Sequence, residues 1–233
     1  MLKTDTGRGR LSKHSEILSL GAILAILVLL FSLALPGKFL RPSNLQSMAF
    51  QLPELGVLAF AMMITMLTGG INLSIISSAN LSGIIMAMIL TGDLASSAGG
   101  AGLGWTIFLA VLAGLSISLI VGLVNGMIIA YIGVSPILAT LGTMTLLEGI
   151  SLVITRGYVI SGLPRNLLVI GNGTFLGIPV PMFILIAVAV VVAIILNKTR
   201  LGLSTYMIGS NIKATNFSGI STNKVTILVY MIS

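Results

Sequence analysis

Cysteine is absent from this 233-residue chain, and the single histidine, His14, stands near its N-terminus. Without thiols there is no disulfide framework, thiol nucleophile or thiolate metal site, and one histidine cannot assemble a His-based metal centre. Charge is almost as scarce, at 7% of residues against about 25% in ordinary soluble domains. No Gly-x-x-x-x-Gly-Lys-Ser/Thr run occurs, so the chain has no phosphate cradle of that type and no ATP site of its own by this criterion. An intramembrane enzyme would need a nucleophile beside a base, or a metal cluster. Buried serines are expected, but no apolar segment holds a histidine or a pair of carboxylates. No catalytic residue, metal ligand or cofactor is therefore expected. The twelve Lys and Arg residues outnumber five acids, giving +7 and a pI near 10.2. They are scattered through the connections instead of forming one patch interleaved with aromatics, which argues against a nucleic-acid partner.

What the chain has in abundance is apolar length: 56% hydrophobic residues and a mean hydropathy of +1.15. Continuous apolar runs of roughly 17–25 residues can cross a hydrocarbon core as helices. A membrane barrel would show strands of alternating polarity instead. The expected fold is all-α, a polytopic transmembrane helical bundle of six spans plus the start of a seventh. The spans are placed at about 17–35, 48–68, 71–91, 105–131, 137–155 and 181–196, with the seventh starting at Val225. Residues 1–16 form an N-terminal tail and 17–233 the transmembrane domain. The first apolar run is longer than a signal-peptide core and lacks a clear cleavage site, so it reads as an uncleaved span. Ser43 or Asn44 is the expected cap of the second span. A Gly/Ser-rich connection containing Asp93 precedes the fourth span, and residues 156–180 read as an irregular Gly/Pro-rich connection. Nine residues cannot span a bilayer, so the seventh segment, and with it the domain, is expected to be incomplete.

Polar side chains inside apolar segments carry the functional expectations. Asn72, Ser74, Ser77 and Ser78 open the third span, and such groups must face protein or water. They serve either interhelical hydrogen bonding or a solute path, as does Asn125 on the fourth span. Beside Asn125, Gly114, Ser118, Gly122 and Gly126 recur every fourth residue, the spacing of a groove that admits a close helix. Glu148, in the fifth span, shares a helical face with Thr145, Ser151 and Thr155. A carboxylate there is expected to face the interior with a partner, as a structural ion pair with another subunit or as part of the path.

A polar island, residues 198–224, interrupts the last apolar segments. Ile212 to Phe217 is helix-compatible and is closed by Ser218-Gly219-Ile220, a short helix that a partner protein could grip. With alternating connections, eight Lys/Arg fall on the side of the N-terminus and island and four on the other. The excess places both in the cytoplasm.

These residues also carry a resemblance. Gly209, Asn211, Ala214, Ser218, Gly219 and Ile220, preceded by Thr199-Arg200-Leu201-Gly202 and followed by Val225 and Val229-Tyr230, are similar to the cytoplasmic coupling loop of bacterial ABC importer permeases of the ribose and simple-sugar type. Phe39 to Leu45, Thr68-Gly69-Gly70-Ile71-Asn72-Leu73-Ser74, Ser135 to Met144, and the runs Ile160 to Pro164 and Phe175 to Pro181 resemble the same family in the same order. Five positions depart from it: Asn72 and Lys213 stand where relatives carry an acid, Ile76 where they carry a glycine, Ser210 where a second glycine is common, and Glu148 where many have Arg. The resemblance implies the permease subunit of a bacterial inner-membrane importer for a simple sugar or related polar solute. It further implies that a separate ATP-binding subunit hydrolyses ATP and docks on loop 198–224, that an extracytoplasmic solute-binding protein delivers the solute, and that a second permease chain, identical or not, completes the pore. A solute path through Asn72, Ser74, Ser77, Ser78, Asn125 and Glu148 is the corresponding expectation. Relatives of this kind run longer and have more spans. Two other readings stay open: a secondary transporter, for which Glu148 is the one midplane charge, and an inactive truncated permease fragment.

Overall fold

Lipid offers backbone N–H and C=O groups no partners, so a chain this apolar must satisfy them within each segment, which helices do. The computed structural model describes residues 8–92 and 100–233, and nearly all of them are helical. The chain divides into two units, up to Ala49 and from Phe50 onward. In the first, α1 spans Arg8–Ala34, so helical backbone begins inside the charged segment read as a tail. Helix α2 (Pro42–Met66) opens on a proline, whose missing N–H costs nothing in a first turn. Ser43 and Asn44 are thus not its caps, as expected from sequence, but lie within that turn. Asn44 Nδ2 instead donates back to the Phe39 carbonyl at 2.8 Å.

The second unit contains the rest of α2 and α3 (Ile75–Thr91), α4 (Gly100–Met127), α5 (Pro136–Thr155), α6 (Arg165–Asn172), α7 (Val180–Lys198), α8 (Arg200–Ser210), α9 (Ile212–Phe217) and α10 (Thr222–Ile232). A π-helical turn, Ile128–Ile132, prolongs α4 and ends at Gly133 with φ 78°. Among the described residues, four helices are long and apolar enough to cross a membrane: Pro42–Met66, Gly102–Ile132, Pro136–Thr155 and Val180–Lys198. Two further apolar helices, Leu18–Ala34 and Ile75–Thr91, are shorter. Together these are the six apolar segments read from the sequence, and α10, eleven residues long, covers the apolar residues from Val225.

Four local expectations change. The third span is helical only from Ile75, because residues 67–74 form a non-helical connection. Helix α4 starts at Gly100, ahead of Trp105, and Asp93 lies outside the described residues. The connection 156–180 holds α6 and a small antiparallel hairpin, β1 (Thr174–Phe175) with β2 (Ile178–Pro179), paired Thr174 to Pro179. The island is almost wholly helical, divided among α8, α9 and the start of α10.

The small-residue stripe on α4 determines the packing. A Cβ at Gly126 would stand 2.7 Å from the Ile227 Cα, and one at Gly122 would strike the Tyr230 carbonyl, so α10 lies directly on that stretch. Further along, Ser118 and Ser82 hydroxyls meet at 2.8 Å, joining α4 to α3. Ile64, Val192, Leu196, Ile208, Val225 and Val229 make a compact apolar cluster between α2, α7, α8 and α10. Elsewhere the usual order is inverted: large apolar side chains cover the outside of the helices while Thr65, Asn125, Thr140 and Thr205 are fully buried.

Candidate functional site

The buried polar groups converge on the non-helical connection 67–74. Its backbone is tolerable at membrane depth only where protein supplies partners. Thr140 supplies two: its Oγ1 accepts from Leu73 N at 3.1 Å and lies 3.2 Å from the Ile71 carbonyl. Ser74 immediately precedes α3, yet its hydroxyl does not cap that helix. It donates instead to Asn72 Oδ1 at 2.8 Å and accepts from Asn125 Nδ2 at 2.8 Å. Asn125 Oδ1 in turn accepts from Thr143 Oγ1 at 2.6 Å. At the other end Asn72 Nδ2 donates to the Ser233 hydroxyl at 2.9 Å. One continuous chain of hydrogen bonds, Thr143 to Asn125 to Ser74 to Asn72 to Ser233, therefore ties α5, α4 and the connection to the end of α10.

Asn72 uses both ends of its amide. It accepts through Oδ1 and donates through Nδ2, and a carboxylate could not donate.

This seam borders a cavity of about 260 Å³ lined in part by Asn72, Ser74, Ser78, Ser118, Asn125 and Tyr230. The Tyr230 hydroxyl is buried and has no hydrogen-bond partner. A buried hydroxyl left unpaired is uncommon and calls for a water or ligand group. Of the six residues expected on a path, four line this cavity. Ser77 does not; it is buried and its hydroxyl donates to the Ser74 carbonyl at 3.0 Å. Glu148 does not either. It is exposed on α5 and borders a different, larger cavity, with no cationic side chain in that cavity's lining. The ion pair expected at Glu148 is with another subunit, and its exposure leaves it open to such a partner.

Sequence reading missed Thr140, Thr143, Ser118 and Tyr230 as members of the site. Thr140 and Thr143, three apart on a helix, share a face, and that signal was available.

The island presents a different kind of surface. Asn211 caps α9, its Oδ1 accepting from Ala214 N at 3.0 Å. At the other end Gly219 takes φ 79°, with its N–H on the Asn216 carbonyl at 3.0 Å and the Ile220 N–H on Thr215 at 3.4 Å. The Thr222 hydroxyl adds a bond to Asn216 Oδ1 at 2.9 Å. Between these two fixed ends Thr215 alone is buried, while Ile212 is 53% and Phe217 92% exposed. Phe217, unremarked from sequence except as the end of the helix, is the most prominent group on this face. Gly209, one turn before, has no room for a side chain: a Cβ would run into the Leu67 carbonyl. Helix α8 thus touches, backbone to backbone, the connection that carries Asn72 and Ser74.

Apolar-faced helices around a buried polar seam, with a short exposed helix between two of them, define a polytopic helical membrane protein. The family described as "Branched-chain amino acid transport system / permease component" matches residues 44–233, and the chain belongs to that family. It is 36% identical over 212 residues to the ribose import permease protein of Bacillus subtilis, covering 90% of this chain and 62% of that protein. With the ribose import permease protein of Haemophilus influenzae it shares 34% identity over 100% of this chain and 70% of the relative. The autoinducer 2 import system permease protein of Salmonella paratyphi B is 30% identical over 91% of this chain and 58% of its own length. The chain thus spans about three-fifths of the length of some curated relatives it matches. No solved structure matches it.

Proposed function

We propose that this chain is the membrane-spanning subunit of an ABC importer for a simple sugar or a related polar solute, with loop 198–224 as the docking element for a separate ATP-binding subunit. The observation that carries this reading is α9, a single-turn-scale helix fixed at both ends that buries only Thr215 and holds Phe217 and Ile212 outward. An exposed aromatic on a rigid support is the form of an interface anchor. Membership of a permease family, with relatives named for ribose and autoinducer 2 import, supports the transport role. The Lys/Arg excess supports a cytoplasmic island and N-terminus in the bacterial inner membrane. ATP is the partner's cofactor; this chain holds none.

In this reading Asn72, Ser74, Ser78 and Asn125 line part of the solute path, and Gly209, Asn211, Ala214, Ser218, Gly219 and Ile220 give the docking loop its shape. Ser77 supports the path from outside the cavity. A solute-binding protein docks on the connection 156–180, and a second permease chain faces this one. Purification from native membranes tests the core of the proposal. The expected result is an ATP-binding subunit in the eluate, lost with Phe217→Ala, which should weaken the association about 30-fold, the equivalent of ~2 kcal/mol for an aromatic anchor. A chain that purifies without any ATPase overturns it.

A further inference from the structure

The larger cavity, about 1000 Å³, lies between α2, α3 and the end of α5 and is lined in part by Glu54, Asn80, Glu148, Ser151 and Tyr158. Two acidic residues, both exposed, thus border the same space, Glu54 from α2 and Glu148 from α5. Among the described residues the cavity lining contains no Lys, Arg or His. Most of the remaining wall is aliphatic, including Val57, Leu58 and Ile84.

A second feature points into this space independently of the acids. Ser151 is only 6% exposed, and its hydroxyl has no hydrogen-bond partner. A serine in a helix ordinarily returns its hydroxyl to the carbonyl one turn back, as Thr145 and Thr155 on this same helix do, at 3.0 and 2.9 Å. Ser151 forgoes that bond at the cavity wall. An orphaned hydroxyl offers a donor, and the two carboxylates offer acceptors and negative charge.

We propose that this cavity binds a hydroxylated solute bearing a protonated amine, the chemical class of an amino sugar. The ammonium group sits with Glu54 and Glu148, two like charges that border one cavity. The Ser151 hydroxyl donates to a ring or hydroxyl oxygen, and the Asn80 amide serves the remaining hydroxyls. Phosphorylated or carboxylated sugars are repelled by the same pair. The proposal goes beyond the path through Asn72, Ser74, Ser78 and Asn125 by adding a separate solute site, and its biological role rests on the import reading.

Binding by the full chain in lipid nanodiscs, without nucleotide, is measured by saturation-transfer NMR with D-glucosamine and with N-acetyl-D-glucosamine, which keeps the ring but removes the charge. Glucosamine should bind about tenfold more tightly, and the preference should shrink as salt is raised toward 1 M. Glu54→Gln and Glu148→Gln should each bring the two ligands closer to equal affinity, and Ser151→Ala should weaken both alike. Equal affinities in the unaltered chain, a preference insensitive to salt, or a preference that survives both glutamine variants overturns the proposal. The salt series on the unaltered chain decides the matter even where a variant does not fold. Failure here leaves the import reading to its own co-purification test, which contains no amino sugar.

Discussion

At the residue scale, two positions separate conformation from contact. Gly219 has open space around it but a φ of 79°, so a substitution there is penalised by backbone strain and not by collision. A Gly219→Val change should cost ~1–2 kcal/mol, whereas Gly219→Asn, which tolerates the left-handed region, should cost much less. Hydrogen exchange across 211–222 reads the difference as about tenfold faster opening in the valine variant. If the island docks an ATPase, the same valine variant hydrolyses ATP without importing solute, and normal coupling would remove the docking assignment. Asn125 is the opposite case, fully buried and bonded at both ends of its amide. Asn125→Ala removes two intramembrane hydrogen bonds at ~0.6–1.7 kcal/mol each. Unfolding in mixed detergent should show a loss of about 1–3 kcal/mol.

At the scale of the element, α4 shows what a sequence can and cannot disclose. Its four-residue repeat of small side chains announced a close helix neighbour, and the structure supplies two, α3 against Gly114 and Ser118, α10 against Gly122 and Gly126. Which neighbour met which glycine was not legible, because that depends on how α10 returns across the bundle. The distinction has a measurable consequence. A Cβ at Gly114 meets the Met86 side chain at 2.7 Å, and methionine yields readily. At Gly122 the obstacle is backbone. Gly114→Ala should therefore leave thermal stability within ~1 kcal/mol while Gly122→Ala costs ~1–3 kcal/mol, a contrast that paired melting curves resolve. The apolar helices were legible from their length and continuity. The non-helical start of the third span was not, since Ile71 to Ser74 reads as part of an apolar run and only tertiary hydrogen bonds to Thr140 and Asn125 reveal its true conformation. Helix α8 was hidden for the reverse reason: its polar residues suggested a loop, and the fold keeps it helical by burying Gly202, Thr205 and Ile208.

At the scale of the whole molecule, these 233 residues contain no cysteine, so within them topology can be tested with single introduced cysteines. Single replacements Phe217→Cys and Tyr158→Cys, at side chains 92% and 78% exposed, should react with membrane-impermeant maleimide from opposite faces, Phe217→Cys from the cytoplasmic one. Labelling of both from the same face would overturn the assignment of sides. Helix α8, which carries Ile208 of the apolar cluster and leads into α9, crosses residues 67–68 at the start of the connection to the polar seam. There the Gly209 backbone rests on the Leu67 carbonyl with no side chain between them. Where a side chain stands between two helices, as Met86 does at Gly114, a shift can be absorbed by rotating it, as slack is taken up in a padded joint. This joint has no padding. A displacement of α8 greater than the free play of two touching backbones must therefore be passed on to the segment that holds Asn72 and Ser74, whose place in the seam is then a readout of where α8 stands.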